Sequence, residues 1–95
     1  MAKKKSIANI AFMMEFVRKF IDSEMDRLEF DLDFNYHLIQ RFNKMESENS
    51  EAAYAFAERI SDLVDKSDDM DTEDLRDELC DGFDLVLDIL NGVAY

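Results

Sequence analysis

The chain has 95 residues, 47% of them apolar and 36% charged, with a formal charge of −12: enough for one domain with a single modest core. So acidic a surface repels polyanions, which excludes direct nucleic-acid binding and anionic membranes and favours basic partners. One Cys, Cys80, cannot close an internal disulfide, and zero Pro with two Gly argues for helices joined by short polar loops. The expected fold class is all-α, a compact bundle of three to four helices in one domain covering residues 1–95.

The charge is unevenly placed. Residues 1–20 carry five basic side chains against Glu15 alone, whereas residues 21–95 hold six basic and twenty-two acidic ones. Lys3 to Lys5 precede the apolar run IANIAFMMEFV, the arrangement of a secretory leader. Glu15, Arg18 and Lys19 interrupt that run early, no small-residue cleavage site follows, and it is too short to span a bilayer. The expected location is therefore cytoplasmic, with residues 1–5 a disordered end.

The first helix is expected to start after Ser6, whose hydroxyl would cap it. Ile7, Ile10, Met14, Val17 and Ile21 follow helical spacing, and Phe12, Met13, Phe16 and Phe20 widen the apolar stripe past half the girth. Such a helix belongs at the centre of a bundle. Its excess apolar surface would also suit a homodimer formed through this first helix. Flanking basic residues allow a membrane-surface helix, but the remainder of the chain would be repelled.

From Leu28 to Tyr36 the chain reads LEFDLDFNY, and apolar and polar residues alternate strictly. That is the pattern of a half-buried strand, yet no second alternating stretch exists to pair with it. Only a symmetry-related copy or a partner protein would supply the other strand. Leu28 with Leu32 and Phe30 with Phe34 also form i, i+4 pairs, which permit a helix. The leading expectation is an extended connector whose aromatic residues plug the bundle, with helix and strand as the alternatives. A short helix capped by Asp33 or Asn35 then runs to about Met45, with Leu38, Phe42 and Met45 inward.

The polar loop MESENS precedes a third helix, EAAYAFAERISDLVDK, for which Ser50 is the expected N-cap. Ala53, Phe56, Ala57, Ile60, Leu63 and Val64 form its apolar stripe, and Ala53, Ala55 and Ala57 keep it slim enough for close approach. The turn SDDM leads into the clearest amphipathic helix, DTEDLRDELCDGFDLVLDILNG, from Asp71 to Gly92. Asp71 is placed to cap it and Gly92 to stop it. Leu75, Leu79, Phe83, Val86, Leu87, Leu90 and Val93 fall on one side, and Asp74, Asp77, Glu78, Asp81, Asp84 and Asp88 on the other.

Reaction chemistry lacks parts. His37 is the only His, and Asp33 one turn before it makes at most two metal ligands where a site needs three. The di-iron Glu-x-x-His spacing fails because Phe34 stands three before His37. Cys80 has no cation near it in sequence and acidic neighbours that raise its pKa, so it reads as a small buried hydrophobe. Starting at Asp65, the tract DKSDDMDTED offers Asp65, Ser67, Asp69, Asp71 and Glu73 at calcium-loop positions. Met70 stands where that loop needs Gly, however, and Arg76 where it needs a bidentate Glu. The expectation is a protein with no catalytic residues, metal or cofactor.

The acidic stripe remains. A run of charge commonly does no more than keep a small protein soluble. Against that, Asp is a poor interior helix former, Asp84 and Asp88 lie toward the negative end of the helix dipole, and like charges at i+3 and i+4 repel. Local stability given up on one face marks a binding surface. In size, charge and helicity the chain is similar to small acidic immunity proteins that neutralise toxins, including nucleases, and to phage proteins that mimic DNA charge. No family motif matches residue by residue. The resemblance implies a non-catalytic inhibitor that docks a basic partner protein (a nuclease, toxin or nucleic-acid-binding protein) through Asp74, Asp77, Asp81, Asp84 and Asp88. The competing expectation is a structural, self-associating helical protein whose acid only solvates it.

Overall fold

Residues 7–92 are described by the structure, a computed structural model, and four helical stretches among them close around one core. Helix α1 spans Ala8–Ile21, α2 Arg27–Glu48 and α4 Thr72–Leu90. Helix α3 is composite: an α-helical part Ser50–Phe56, a π-helical turn Ala57–Ser61, and a last α-helical turn Asp62–Asp65. Helix α1 packs on α2 and α4, and α3 also packs on α2 and α4, so α2 and α4 stand at opposite corners. The all-α bundle expected from the composition is the observed architecture. No described helix is long and apolar enough to cross a membrane.

Helix α1 is buried against two neighbours, as its wide stripe requires: Ile10, Met13, Met14, Phe16, Val17 and Phe20 are all buried. Its start is held from another helix. The Glu48 carboxylate at the end of α2 accepts from the backbone N–H of Asn9 and Ile10, each at 2.9 Å, and from Asn9 Nδ2 at 2.8 Å. An anion at a helix N-terminus satisfies orphan donors and the positive end of the dipole together. The expected cap, Ser6, lies outside the described residues, as do residues 1–5 and Val93. At the other end, Ser23 adopts φ 66° and donates its N–H to Phe20 O, while Glu24 donates to Lys19 O. This pair of bonds closes the helix with Ser in the left-handed position where Gly is the usual choice.

The stretch 28–36 corrects the expectation of an extended connector. It is helical throughout, and the helix starts at Asp26, whose carboxylate accepts from Glu29 N at 2.8 Å, rather than at Asp33 or Asn35. The physical reason is aromatic packing. Phe30 and Phe34, one turn apart, are fully buried; Phe30 stacks on Phe20 with centroids 4.2 Å apart, and Phe34 on Phe56 at 6.0 Å. The alternating pattern therefore divides between two faces of one helix: Phe30 and Phe34 go inward, Leu28, Leu32 and Tyr36 outward. Further along, Met45 is buried and Leu38 and Phe42 are half-buried.

A single residue, Asn49, joins α2 to α3. Its side chain accepts from Ala52 N at 3.0 Å, so Asn49 caps α3 and Ser50, the expected cap, is already helical. Ala53, Phe56, Ile60 and Val64 fill the core as their spacing requires. In the loop that follows, buried Ser67 donates its hydroxyl to Val64 O. The Arg27 guanidinium donates to Ser67 O at 2.6 Å, Met70 O at 3.0 Å and Thr72 Oγ1 at 3.2 Å. The tract with calcium-like spacing is thus gathered around a cation that the chain supplies itself. Asp71 sits at the N-cap of α4 without a side-chain bond, and Gly92, at φ 75°, follows the helix as expected.

Two substitutions test this arrangement. Phe30→Ala should cost about 3–5 kcal/mol, as buried aromatic truncations do, whereas Leu28→Ala, two residues earlier in the alternating run, should change stability by less than about 0.5 kcal/mol. Equal losses in denaturant titration would restore a one-faced strand-like stretch. Glu48→Ala should cost about 1–3 kcal/mol by stranding the N-terminal donors of α1, with Glu48→Gln in between.

A candidate docking face on the last helix

Helix α4 owes its position to four side chains and one missing side chain. Leu75, Leu79 and Val86 are buried, and Arg76 reaches α1, donating Nε–H to Phe20 O at 2.8 Å with its guanidinium 4.7 Å from the Phe20 ring. That places a cation at the negative end of α1. Gly82 lies against the π-helical turn of α3. A Cβ there would stand 2.9 Å from the Arg59 carbonyl oxygen and 3.2 Å from Arg59 Cβ. The close approach foreseen for the alanines of α3 is thus completed from α4 by a glycine. Phe83 and Leu90 are half-buried, while Leu87 stands at the outer margin of the packed face.

So clamped, α4 turns its acids outward. Asp74, Asp77, Asp81 and Asp84 are exposed and Asp88 is half-buried. Among the described residues, Asp74, Asp77, Asp81 and Asp84 take part in no ion pair. Some acids elsewhere are engaged: Glu15, Asp22 and Glu24 all hold Arg18, Asp31 pairs with Arg27, and Asp62 with Lys66, whereas Asp65, Asp68 and Asp69 are exposed with no ion pair among the described residues. At the margin of α4, Glu73 lies 3.5 Å from Arg76. Three arginines are engaged away from the stripe, whereas exposed Arg59 of α3 lines one groove with Glu78 and Asp81. Arg27 holds the loop, Arg76 holds α1, and Arg41 stacks 3.7 Å above the Phe12 ring.

One flank of the stripe falls into a groove of about 330 Å³ between α3 and α4, with Glu58, Arg59 and Asp62 on one wall and Glu78, Asp81 and Gly82 on the other. On the other flank sits Cys80. The expectation of a buried thiol is corrected, because Cys80 lies one step around the helix from the packed row and is exposed. Partial desolvation raises its pKa first, and the carboxylates of Asp84, Asp81, Asp77 and Asp22 raise it further. A thiol in a negative field is a poor nucleophile.

His37 is a boundary residue. Its ring stands edge-on to Phe12, Phe16 and Tyr36 at 5.1, 5.2 and 5.4 Å, and its buried Nδ1 has no hydrogen-bond partner among the described residues. No three His, Cys, Asp or Glu side chains among the described residues are gathered where they could hold a metal ion. One surface escaped the sequence reading: Leu28, Leu32, Tyr36 and Ile39 form an exposed row on α2. Its signal was present, since alternation on a helix places apolar residues on opposite faces. No protein-family model, no curated protein and no solved structure matches this chain.

The thiol reports on the field of the stripe. The pH at which Cys80 becomes half-reactive toward iodoacetamide should lie above the ordinary value of about 8.5. It should move down in Asp81→Asn/Asp84→Asn, because removing anions makes thiolate formation easier. An unmoved profile would mean that these carboxylates project no field on their neighbour.

Proposed function

We propose that the protein is a small non-catalytic binding protein that docks a basic partner protein onto the acidic face of α4. Asp77, Asp81 and Asp84 are the centre of that face, with Asp74 and Asp88 at its ends. The observation that carries this reading is a helix face on which Asp74, Asp77, Asp81 and Asp84 stand exposed in one row with no ion pair among the described residues, held from behind by the close approach of Gly82 to α3. An unneutralised row steers and orients a basic surface, since complementary potentials raise association rate and select partners. A pre-formed helix also spares the ordering cost that a disordered acidic tail would incur. The class is that of inhibitors, immunity-type neutralisers and DNA-charge mimics, whose partners are nucleases, toxins and other nucleic-acid-binding proteins. Catalysis has no support in the side chains at hand: Cys80 is held as a thiol and His37 is packed among aromatic rings.

The test compares two sets of three Asp→Asn changes with the same loss of charge. Asp77→Asn/Asp81→Asn/Asp84→Asn removes the centre of the face, and Asp65→Asn/Asp68→Asn/Asp69→Asn removes exposed acids from the end of α3 and the loop after it. A partner purified on the wild-type protein from the source cell should lose affinity for the first variant and retain it for the second. The loss should shrink as salt rises, because charge steering is screened over about 8 Å at physiological ionic strength. Bound partner should also shield Cys80 from alkylation. Equal affinity for the wild type and the first variant would reduce the stripe to a solubilising surface.

A further inference from the structure

We propose that Lys3, Lys4 and Lys5 regulate the docking face on α4: the segment that carries them crosses from the start of α1 to Asp84 and Asp88 and pairs with them, so that a basic partner must displace it. This competition rests on the docking reading above and adds to it a competitor supplied by the same chain. The three lysines are the only run of three cations in a sequence of net charge −12.

The described chain begins at Ile7, which leads directly into α1. Polar contacts at both ends of the bundle fix where that point lies. Arg76, early in α4, donates to Phe20 O near the end of α1, and because the two helices pack on each other α4 runs back from there along α1. Twelve residues separate Phe20 from Ala8 and twelve separate Arg76 from Asp88, a rise of about 18 Å along each helix. Asp88 is therefore level with the start of α1. The rotation of α4 is fixed as well. The Asp22 carboxylate, just past the end of α1, acts on Cys80, so the Cys80 side of α4 is turned toward α1. Asp84 and Asp88 follow Cys80 at one and two turns, drifting toward the outer face. Packed helices lie about 8–10 Å apart, and the four residues of chain from Ile7 back to Lys3 span up to about 14 Å. Both carboxylates are within reach.

Other acids at this end of the bundle are placed less well. Glu48 is committed to the Asn9 and Ile10 amides, and Glu51 stands on α3, across the bundle from α1. So short a tether gives the lysines a high effective concentration at Asp84 and Asp88. Each exposed ion pair is nonetheless worth little. The contact is thus held by proximity, and a partner with a larger basic surface displaces it.

Carbodiimide coupling, which joins an amine to a carboxylate in contact with it, tests the placement without a partner. In the wild-type monomer at low salt, links from Lys3, Lys4 and Lys5 should fall on Asp84 and Asp88 in excess over exposed Glu51, and should fade as salt rises. Equal yields on Glu51, or no links to Asp84 and Asp88, overturn the proposal and leave the docking reading standing. Competition is read with an oligo-arginine peptide as the basic probe. Lys3→Gln/Lys4→Gln/Lys5→Gln should bind it several-fold more tightly than Lys19→Gln/Lys44→Gln/Lys66→Gln, which removes the same charge from other exposed sites. In an Asp84→Asn/Asp88→Asn background that difference should vanish. Equal affinity of the two lysine variants overturns the competition even where the links form, as does a difference that survives the loss of Asp84 and Asp88.

Discussion

A continuous aromatic stack ties the bundle together. Phe20 of α1 lies on Phe30 of α2, Phe30 neighbours Phe34 at 5.3 Å, and Phe34 lies on Phe56 of α3. Three helices are thus joined through rings that are fully buried and that bury the largest area per side chain available to this chain, which has no Trp. The fourth helix is hung on the same stack by Arg76, which binds the Phe20 carbonyl and faces its ring. Removing any one ring would disturb the seating of its neighbours on both sides. The composition points the same way, since eight Phe in ninety-five residues are an unusually large share of a small core.

Much of this was legible in the chain. The apolar stripes of α1, α3 and α4 follow helical spacing, and Ile10, Phe20, Ile60, Leu75 and Leu79 are buried where that spacing places them. The misreading fell on 28–36, where two periodicities coincide. A strand with one apolar face and a helix with two give the same alternation of letters, and the choice is made by what lies across from Phe30 and Phe34. That information is tertiary. Caps held from a distance were hidden for the same reason: Glu48 binds the start of α1 from thirty-nine residues away. The acidic row of α4 was readable residue by residue. What could not be read was its backing, the close approach of Gly82 to the Arg59 carbonyl of α3. Cys80 was misplaced because it sits at the border of the apolar arc, where one step of helix rotation separates core from solvent.

The fold also separates charges by task. Its arginines work at helix ends and ring faces, where a planar cation with several donors can bind carbonyls, carboxylates and π-systems at once. Arg27 joins four groups in this way, and Arg18 gathers three carboxylates near the turn after α1. Asp74, Asp77, Asp81 and Asp84 stand on α4, where Gly82 and the π-helical turn fix the backbone from behind. The rigidity of that helix and the exposure of its carboxylates thus have separate origins, one in the packing on α3 and the other in the amphipathic spacing of α4 itself.

A helix with two apolar faces presents the folding chain with a choice. Docked half a turn around, α2 would offer Leu28, Leu32 and Ile39 to the core instead of Phe30 and Phe34, and hydrophobic burial alone separates the two states poorly. The polar ties break the degeneracy. Arg27, Arg41 and Glu48 lie on the phenylalanine side of α2, where they meet the Ser67 and Met70 carbonyls, the Phe12 ring and the Asn9 and Ile10 amides. Rotating the helix would carry all three charges into solvent and leave those groups without them. Such contacts open an energy gap between the native packing and its nearest competitor. Their main contribution is therefore to uniqueness: they select one rotation of α2 about its own axis.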